Sequence, residues 1–290
     1  MCTKDYLFRD IQITDLETIK SVILINDNTL YARTFQVMFL WKDLWELSVC
    51  AQDDFFTARA VISGKTAYFF PCGTAEKKKE FLSWFISQKS HDCILCNISQ
   101  SDKIFLEEHF GGALPLKTIR EDFAYIYNRA EQLEMSGKKY KNMKRSLRKV
   151  KRGHEWVARL INSANFDDVR LILQNWIDNT IADCYDVKSV DLAVNHFFDL
   201  DMFGIVLYRD GSPLGFAMGS FTDNTTFDLN ISKTLAPNTD IILRNELFKL
   251  LPENVIFIDQ EDDMGIEGLR IHKTQLVPCS ISRVYEYCPD

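Results

Sequence analysis

Gly204-Ile-Val-Leu-Tyr-Arg-Asp-Gly-Ser-Pro-Leu-Gly-Phe-Ala-Met-Gly-Ser-Phe221 sets an apolar run, Gly204 to Tyr208, against a second, Gly215 to Phe221, across Arg209-Asp-Gly-Ser-Pro213. An Asp-Gly pair between two such runs is a strong hairpin signal, because both residues accept the positive φ that a tight two-residue turn demands. Downstream, Thr226 to Ile231 continues the sheet. A helix over about 240–251 stops at Pro252, and a strand follows at Val255 to Asp259. A helix from about Ile266 to Gln275 and a strand near Ser282 to Tyr287 complete the series, and two helices, about Phe166 to Asp183 and Val190 to Phe198, precede it.

The same order of elements occurs earlier in the chain. Phe55 to Val61 and Thr66 to Phe70 flank Ile62-Ser-Gly-Lys65 as a hairpin. There follow a helix over about 75–88, a strand at Cys93 to Ile98, a short helix near Asp102 to His109 ended by Gly111-Gly112, and a strand at Phe123 to Tyr127. Antiparallel meanders leading into helix, strand, helix, strand predict α/β (α+β) lobes with mixed sheets flanked by helices, arranged in tandem. The expected division is 1–128, a basic helical connector at 129–153, and 154–290. No residue-level repeat accompanies the duplicated order, so one continuous sheet carries the same string of elements.

With 290 residues, 46% hydrophobic and 26% charged, the chain has the composition of a globular protein able to bury a large core. No stretch has the roughly 18 uninterrupted apolar residues of a membrane span, and Met1 to Asp10 lacks the apolar run of a signal peptide. The cytoplasm is the expected compartment. The eight cysteines (2, 50, 72, 93, 96, 184, 279 and 288) are scattered, several in apolar runs, and read as reduced core thiols. Cys93 and Cys96 form a CxxC without a second pair or a histidine pair at zinc spacing, so the segment reads as a buried strand. His91, His109, His154, His196 and His272 are isolated in sequence, and no metal site is expected.

Charge is segregated. Lys138, Lys139, Lys141, Lys144, Arg145, Arg148, Lys149, Lys151 and Arg152 give nine positive charges with no acidic residue among them, and subtracting nine from the chain's −7 leaves the remainder at −16. Tyr140, Met143, Leu147 and Val150 recur at spacings of three and four, which predicts an amphipathic helix with a basic exterior. Like charges at that spacing destabilise a helix. A solvated surface helix tolerates this cost, and an anionic partner removes it: RNA, the phosphates of a coenzyme, or an anionic lipid headgroup. No GxxxxGK[ST] loop, strand-linked GxGxxG or paired-aromatic RNA-recognition signature occurs, which disfavours nucleotide hydrolysis and dinucleotide redox chemistry.

A second dense constellation is Ile258-Asp-Gln-Glu-Asp-Asp-Met-Gly-Ile-Glu-Gly-Leu-Arg-Ile-His-Lys273. Here a strand ends in carboxylates and passes through Gly265 into a helix. Its structural reading is a charged strand-to-helix turn in which acidic groups complement a helix N-terminus. Its functional reading has Glu261, Asp262 and Asp263 orienting or deprotonating an amine while Arg270 and Lys273 hold an anionic group. Ser220, Asp228 and Asn230 fall in the central strands, where polar groups either face solvent or line a transfer site.

Phe123-Ala-Tyr-Ile-Tyr-Asn128, Leu133 through Gly137-Lys-Lys-Tyr-Lys141, Lys144-Arg145 and Glu261 through Lys273 together resemble the phosphatidylglycerol lysyltransferase C-terminal domain family, over most of the chain. The resemblance implies two tandem GNAT-like lobes, similar to Fem-type peptidyltransferases, and transfer of an amino acid from an aminoacyl-tRNA to an acceptor hydroxyl or amine. It implies Lys138, Lys139, Tyr140, Lys144 and Arg145 as the donor-phosphate segment, and Glu261, Asp228, Arg270 and Lys273 as the transfer site. The chain departs from the family pattern at Ser146 (usually Asn), Ser232 (usually Glu) and Asp259-Gln260 (usually Asn-Arg). If the strand Glu is a base, its role falls here to Glu261 or Asp228. Two alternatives remain: a coenzyme-A-dependent N-acetyltransferase, although Ala236 to Asp240 lacks the glycine-rich pyrophosphate turn, and a non-catalytic anion- or RNA-binding protein on the same fold. The acceptor is read as a small molecule, a peptide or a lipid headgroup.

Overall fold

The computed structural model describes residues 6–25, 30–52, 54–88, 93–179 and 184–288. Cys2, His91 and the last residues of the helix expected to reach Asp183 lie outside them. The chain divides into two compact units, Met1–Phe123 with Ser282–Asp290, and Ala124–Ile281. Among the described residues, no helix is long and apolar enough to cross a membrane.

The first unit is built on an eight-stranded sheet. Its members are β1 (Arg9–Asp10), β2 (Ser48–Gln52), β3 (Phe55–Ile62), β4 (Lys65–Phe69), β5 (Cys72–Gly73), β6 (Cys93–Ile98), β7 (Leu116–Thr118) and, from the far end of the chain, β15 (Tyr285–Tyr287). Their order is β1-β2-β3-β4-β6-β15-β7, with β5 on β3. The pairing of β4 with β6 is parallel, and α3 (Ala75–Ser87) makes the crossover between them. Threonine and serine start the helices. Thr74 Oγ1 accepts from the Lys77 N–H at 3.4 Å, and Ser99 and Asp102 form a capping box that opens α4 (Gln100–Phe110), which Gly111 closes at φ 56°. The inner face of α3 buries Phe81, Leu82 and Phe85 against Phe55, Phe70, Leu95 and Ile98 of the sheet. Two shorter helices, α1 (Leu16–Ile25) and α2 (Phe35–Leu40), belong to the same unit.

The second unit repeats the plan with a seven-stranded sheet. Strands β8 (Ala124–Asn128), β9 (Trp156–Leu160), β10 (Phe203–Arg209), β11 (Ser212–Phe221), β12 (Thr226–Thr234), β13 (Phe257–Asp259) and β14 (Ser280–Ser282) run in the order β14-β8-β13-β12-β11-β10-β9. The β10–β11 turn is the Asp210-Gly211 pair, with φ of 52° and 80°, and it sets Arg209 opposite Ser212. Here α9 (Asp240–Leu250) makes the parallel crossover from β12 to β13. The Arg129 side chain donates to the carbonyls of Phe248, Leu251, Pro252 and Val255 at 2.6–3.2 Å, which satisfies the orphan acceptors at the end of α9. The remaining helices are α5 (Arg129–Glu134), α6 (Lys141–Lys151), α7 (Phe166–Asn179), α8 (Cys184–Asn195) and α10 (Glu267–Gln275).

The fold is thus mixed α/β in two units, each with its own mixed sheet flanked by helices, rather than one continuous sheet. Two strands go where the linear reading does not send them. Residues 124–128, expected to finish the first lobe, pair with β13 of the second sheet, and Tyr285–Tyr287, expected to finish the second, pairs with β6 and β7 of the first. The segment 129–153, read as a connector, lies within the second unit, and Met143, Leu147 and Val150 of α6 pack on that unit's core. Sequence order favours pairing between consecutive strands, but it does not fix which edge β8 or β15 joins, because those partners are set by long-range burial.

Candidate functional site

Parallel pairing of β12 with β13 lasts for three registers, Thr226↔Phe257, Phe227↔Ile258 and Asp228↔Asp259, after which β12 continues to Thr234 while β13 ends. In open α/β sheets this is where side chains meet ligands, beyond the carboxyl ends of parallel strands. On the other flank of β12 the register breaks between Met218 and Ser220. A Cβ on Gly219 would lie 1.9 Å from the Asp228 carbonyl oxygen, so glycine is what lets the two backbones approach and aims their side chains.

Past Asp259 the chain turns sharply. Asp259 Oδ1 accepts the Glu261 N–H at 2.7 Å, and Glu261 holds φ 58°, a left-handed conformation that a non-glycine residue adopts at a cost. Main-chain bonds from Gln260 N–H to the Tyr125 carbonyl and from Tyr125 N–H to the Glu261 carbonyl, both 3.1 Å, pin the turn to β8. The Lys273 ammonium, on α10, donates to the Gln260 carbonyl at 2.5 Å and to the Asp262 carbonyl.

The side chains then converge. Asn230 Nδ2 donates to Asp228 Oδ2 at 2.8 Å and to Glu261 Oε1 at 3.3 Å, and Asn230 Oδ1 accepts from the Ser220 hydroxyl at 3.2 Å. Asp228 and Ser220 are fully buried, Asp259 and Lys273 nearly so, and Glu261 is half-buried. Burial, reinforced by the charges of Glu261 and Asp259, pushes the Asp228 carboxyl well above the usual carboxylate range. Burial raises Asp259 to about 7, and it raises Glu261 to about 8 against the opposing pull of Lys273. The same desolvation lowers Lys273, whose charged form the carboxylates partly restore. Burial thus favours the protonated form throughout the cluster, and Glu261, its half-buried member, is the one placed to exchange a proton.

Of the transfer-site residues named from sequence, Asp228, Glu261 and Lys273 come together. Arg270 goes elsewhere: its guanidinium grips both oxygens of buried Asp263, at 2.8 and 2.9 Å, and Asp263 also accepts from the Tyr125 hydroxyl at 2.7 Å. That lock orients the turn rather than presenting a free cation. Asp259 and Gln260, read as departures from the family pattern, are integral to the cluster, and Ser232 sits half-buried in the β11–β12 ladder opposite Ala217.

The basic segment forms a 3-10 turn, Lys138–Tyr140, and then α6. Tyr140 is 1% exposed, and its hydroxyl donates to Glu131 at 2.8 Å, so it is a packing residue. Lys139 pairs with Glu131 and Lys151 with Glu246, at 2.8 and 2.7 Å. Lys138, Lys141, Lys144, Arg145, Arg148, Lys149 and Arg152 have no carboxylate partner among the described residues. Beneath α6 lies a cleft of about 700 Å³ lined by residues that include Lys139, Ser146, Lys149, Asp240, Arg244 and His272. None of the carboxylate cluster lines it, although His272 adjoins Lys273 on α10. The segment's cations and the carboxylates are therefore two separate features of one unit.

The family model for phosphatidylglycerol lysyltransferase, C-terminal, matches residues 27–285. A conserved protein of unknown function from Bacteroides thetaiotaomicron superposes with a TM-score of 0.85 at 20% identity, covering 99% of this chain and 100% of its own. L-PGS from Bacillus licheniformis gives 0.65 at 12% identity, over 97% and 94%, and FemX 0.57 at 8%, over 97% of each. At such identities the likeness is one of fold. A search of curated proteins returns no match. With a family model spanning both sheets and solved relatives sharing the whole tandem fold, this chain belongs to the phosphatidylglycerol lysyltransferase C-terminal family.

Proposed function

We propose that the chain is an acyltransferase that moves an aminoacyl group from an aminoacyl-tRNA to an acceptor amine or hydroxyl, in the cytoplasm where that donor is made. The supporting observation is the set of unpaired cations on α6 in a chain whose remaining residues stand at −16, nine charges below the total of −7. Lys138, Lys139, Lys144 and Arg145 hold donor phosphates, and Tyr140 seats the segment. Glu261 accepts the acceptor's proton. Asp228, joined to it through Asn230, fixes its orientation, while Lys273 and the Arg270–Asp263 lock hold the turn that carries it. An aminoacyl ester is already activated, so positioning and proton removal are the tasks left to the protein.

Filter binding of charged tRNA across a salt series tests the donor. Binding should weaken steeply with salt, and the double variant Lys144→Ala, Arg145→Ala should reduce the log–log slope by roughly one for each lost phosphate contact. Absent or salt-independent binding overturns the assignment.

The cleft favours a second reading, a coenzyme-A-dependent N-acetyltransferase. Arg244, His272, Lys139 and Lys149 line it, and the first turn of α9 has no side-chain cap from Thr239. The Ile242 amide there donates to the Thr239 carbonyl at 3.1 Å, so a phosphate would have to be met by the opening amides of Asp240 and Ile241. Calorimetric titration with acetyl coenzyme A decides between the two: micromolar binding that Arg244→Ala abolishes would replace the tRNA reading.

A further inference from the structure

We propose that the cleft beneath α6 is a site for a nucleoside phosphate, and that the one it takes is the 3′-terminal nucleotide of the RNA donor. This rests on the aminoacyl-tRNA reading and deepens it. The first observation is the charge of the lining. Arg244, Lys139 and Lys149 border the cleft, and Asp240 is the one acid among the described residues that line it. Lys149 has no carboxylate partner among the described residues. Arg244 is 9% exposed, and its guanidinium meets Asp240 at 2.9 Å and donates to His272 Nε2 at 3.2 Å. A guanidinium only donates, so His272 is held as the neutral tautomer with its proton on Nδ1. Burial lowers Arg244 in spite of Asp240, and burial together with the charge of Arg244 lowers His272. These basic groups are short of negative charge, and an entering phosphate supplies it.

The second observation is one of size and surface, independent of charge. At about 700 Å³ the cleft is in the range of small-molecule pockets, and a lone phosphate would leave most of it empty. Met143, Ile241, Leu276 and Val277 give it apolar surface, and Asn142 and Gln275 set amides among them. A nucleotide has the matching division: a flat ring for apolar side chains, ring edges for amides, and a charged phosphate. Val277 holds φ 61°, a left-handed conformation that a β-branched residue adopts only under constraint, just past α10 where glycine is usual. The strained residue is thus one that lines the cleft, as strained residues in ligand clamps do.

The roof of the cleft selects the source of the nucleotide. Asn142, Met143, Ser146, Lys149 and Val150 of α6 line it, while Lys144, Arg145 and Arg148 of the same helix lie exposed outside it. A strand of phosphates can run over α6 and end in the cleft, whereas a free coenzyme leaves those outer cations unused. The end of a tRNA that carries the aminoacyl ester is its 3′-terminal adenosine. Seated in the cleft, that adenosine abuts α10, where His272 lines the cleft and the next residue, Lys273, donates to the Gln260 and Asp262 carbonyls of the turn that bears Glu261.

The test titrates the full chain with a minihelix RNA ending in CCA, with the same RNA carrying an abasic terminal ribose, which keeps every phosphate, and with coenzyme A. Calorimetry reads affinity, and the His272 imidazole signals in NMR read occupancy of the cleft. The CCA end should move those signals and bind about tenfold more tightly than the abasic end. Ser146→Trp, at an exposed position of α6, fills the cleft without removing a charge, and should abolish that difference while salt-dependent RNA binding persists. Circular dichroism confirms its fold, and Arg244→Lys, which keeps the charge and loses the planar fork, should likewise weaken the CCA end about tenfold. Equal affinity for the two ends, His272 signals that stay fixed, or a CCA preference untouched in Ser146→Trp overturns the proposal, and the donor reading outlives it if salt-dependent RNA binding remains. Coenzyme A that moves His272 where neither RNA binds overturns the RNA source and removes the donor reading with it.

Discussion

The two sheets share a plan and differ in how they treat charge. In the first unit the parallel β4–β6 pair runs from Thr66↔Cys93 to Phe69↔Cys96, and a hydrogen bond from Phe70 N–H to the Cys96 carbonyl at 2.9 Å carries the ladder past its end. The buried cation nearby, Arg33, donates to Asp102 at 2.8 Å and to the Phe70 carbonyl at 3.3 Å, so its charge is matched one for one. In the second unit the corresponding pair ends at Asp228 and Asp259, and Lys273 beside them donates to the Gln260 and Asp262 carbonyls. The same topology thus supports a closed, ion-paired strand end in one unit and, in the other, carboxyls that burial pushes toward their protonated form. The comparison singles out the second unit as the one whose buried carboxyls are strongly perturbed, a feature that functional sites share.

Three measurements press on that contrast. The largest effect belongs to the closed end. Asp102→Ala strands the buried Arg33 guanidinium and removes the Ser99 capping box, and it should cost about 3–5 kcal/mol in urea unfolding. A loss under about 1 kcal/mol would show that the pair is not a structural keystone. Next is Gly219→Ala, whose methyl must displace the Asp228 carbonyl and should cost about 2–3 kcal/mol, with the β11–β12 amides exchanging faster than those of β3–β4. An unchanged midpoint would mean that the bulge relaxes freely.

The smallest effect is the pH dependence of Asp259. Its carboxyl is raised from 3.8 to about 7 in the folded state, so the unfolded chain ionises first and stability falls as pH rises through that window. Asp259→Asn keeps an oxygen for the Glu261 N–H and removes the penalty. The variant should therefore gain about 1–2 kcal/mol on wild type at about pH 8 and little at about pH 5. A parallel pH profile in both proteins would show that burial does not raise the Asp259 carboxyl, and the desolvation that sets this strand end apart would disappear.

Local chemistry was legible and partnership was not. Asp210-Gly211 specified its turn and register, Thr74 and Ser99 marked helix starts, and the spacing of Met143, Leu147 and Val150 gave the packed face of α6. These are decided by neighbours within a few residues. Strand partners are decided by burial across the whole chain, so the destinations of β8 and β15 could not be read. In the site, the acidic run announced Glu261 and Lys273, and the alternation of β12 put Asp228 and Asn230 on one face. The run also suggested Arg270 as a free anion holder, because sequence spacing does not reveal that Asp263, seven residues earlier, turns back to meet it. Asp259 and Gln260 drew notice as departures from a pattern, yet nothing in the sequence shows that one of them braces Glu261 in a left-handed turn.

The late strand of the first sheet has a consequence for biosynthesis. Until Tyr285–Tyr287 emerges from the ribosome, β6 and β7 lack the strand that lies between them, and β6 presents an open edge to every other nascent chain. The amino-terminal half is made first but finishes last. Its exposure lasts for the synthesis of the entire second unit, roughly ten seconds or more at ordinary elongation rates, an interval in which a chaperone's protection would have greater value than any single contact in the finished protein.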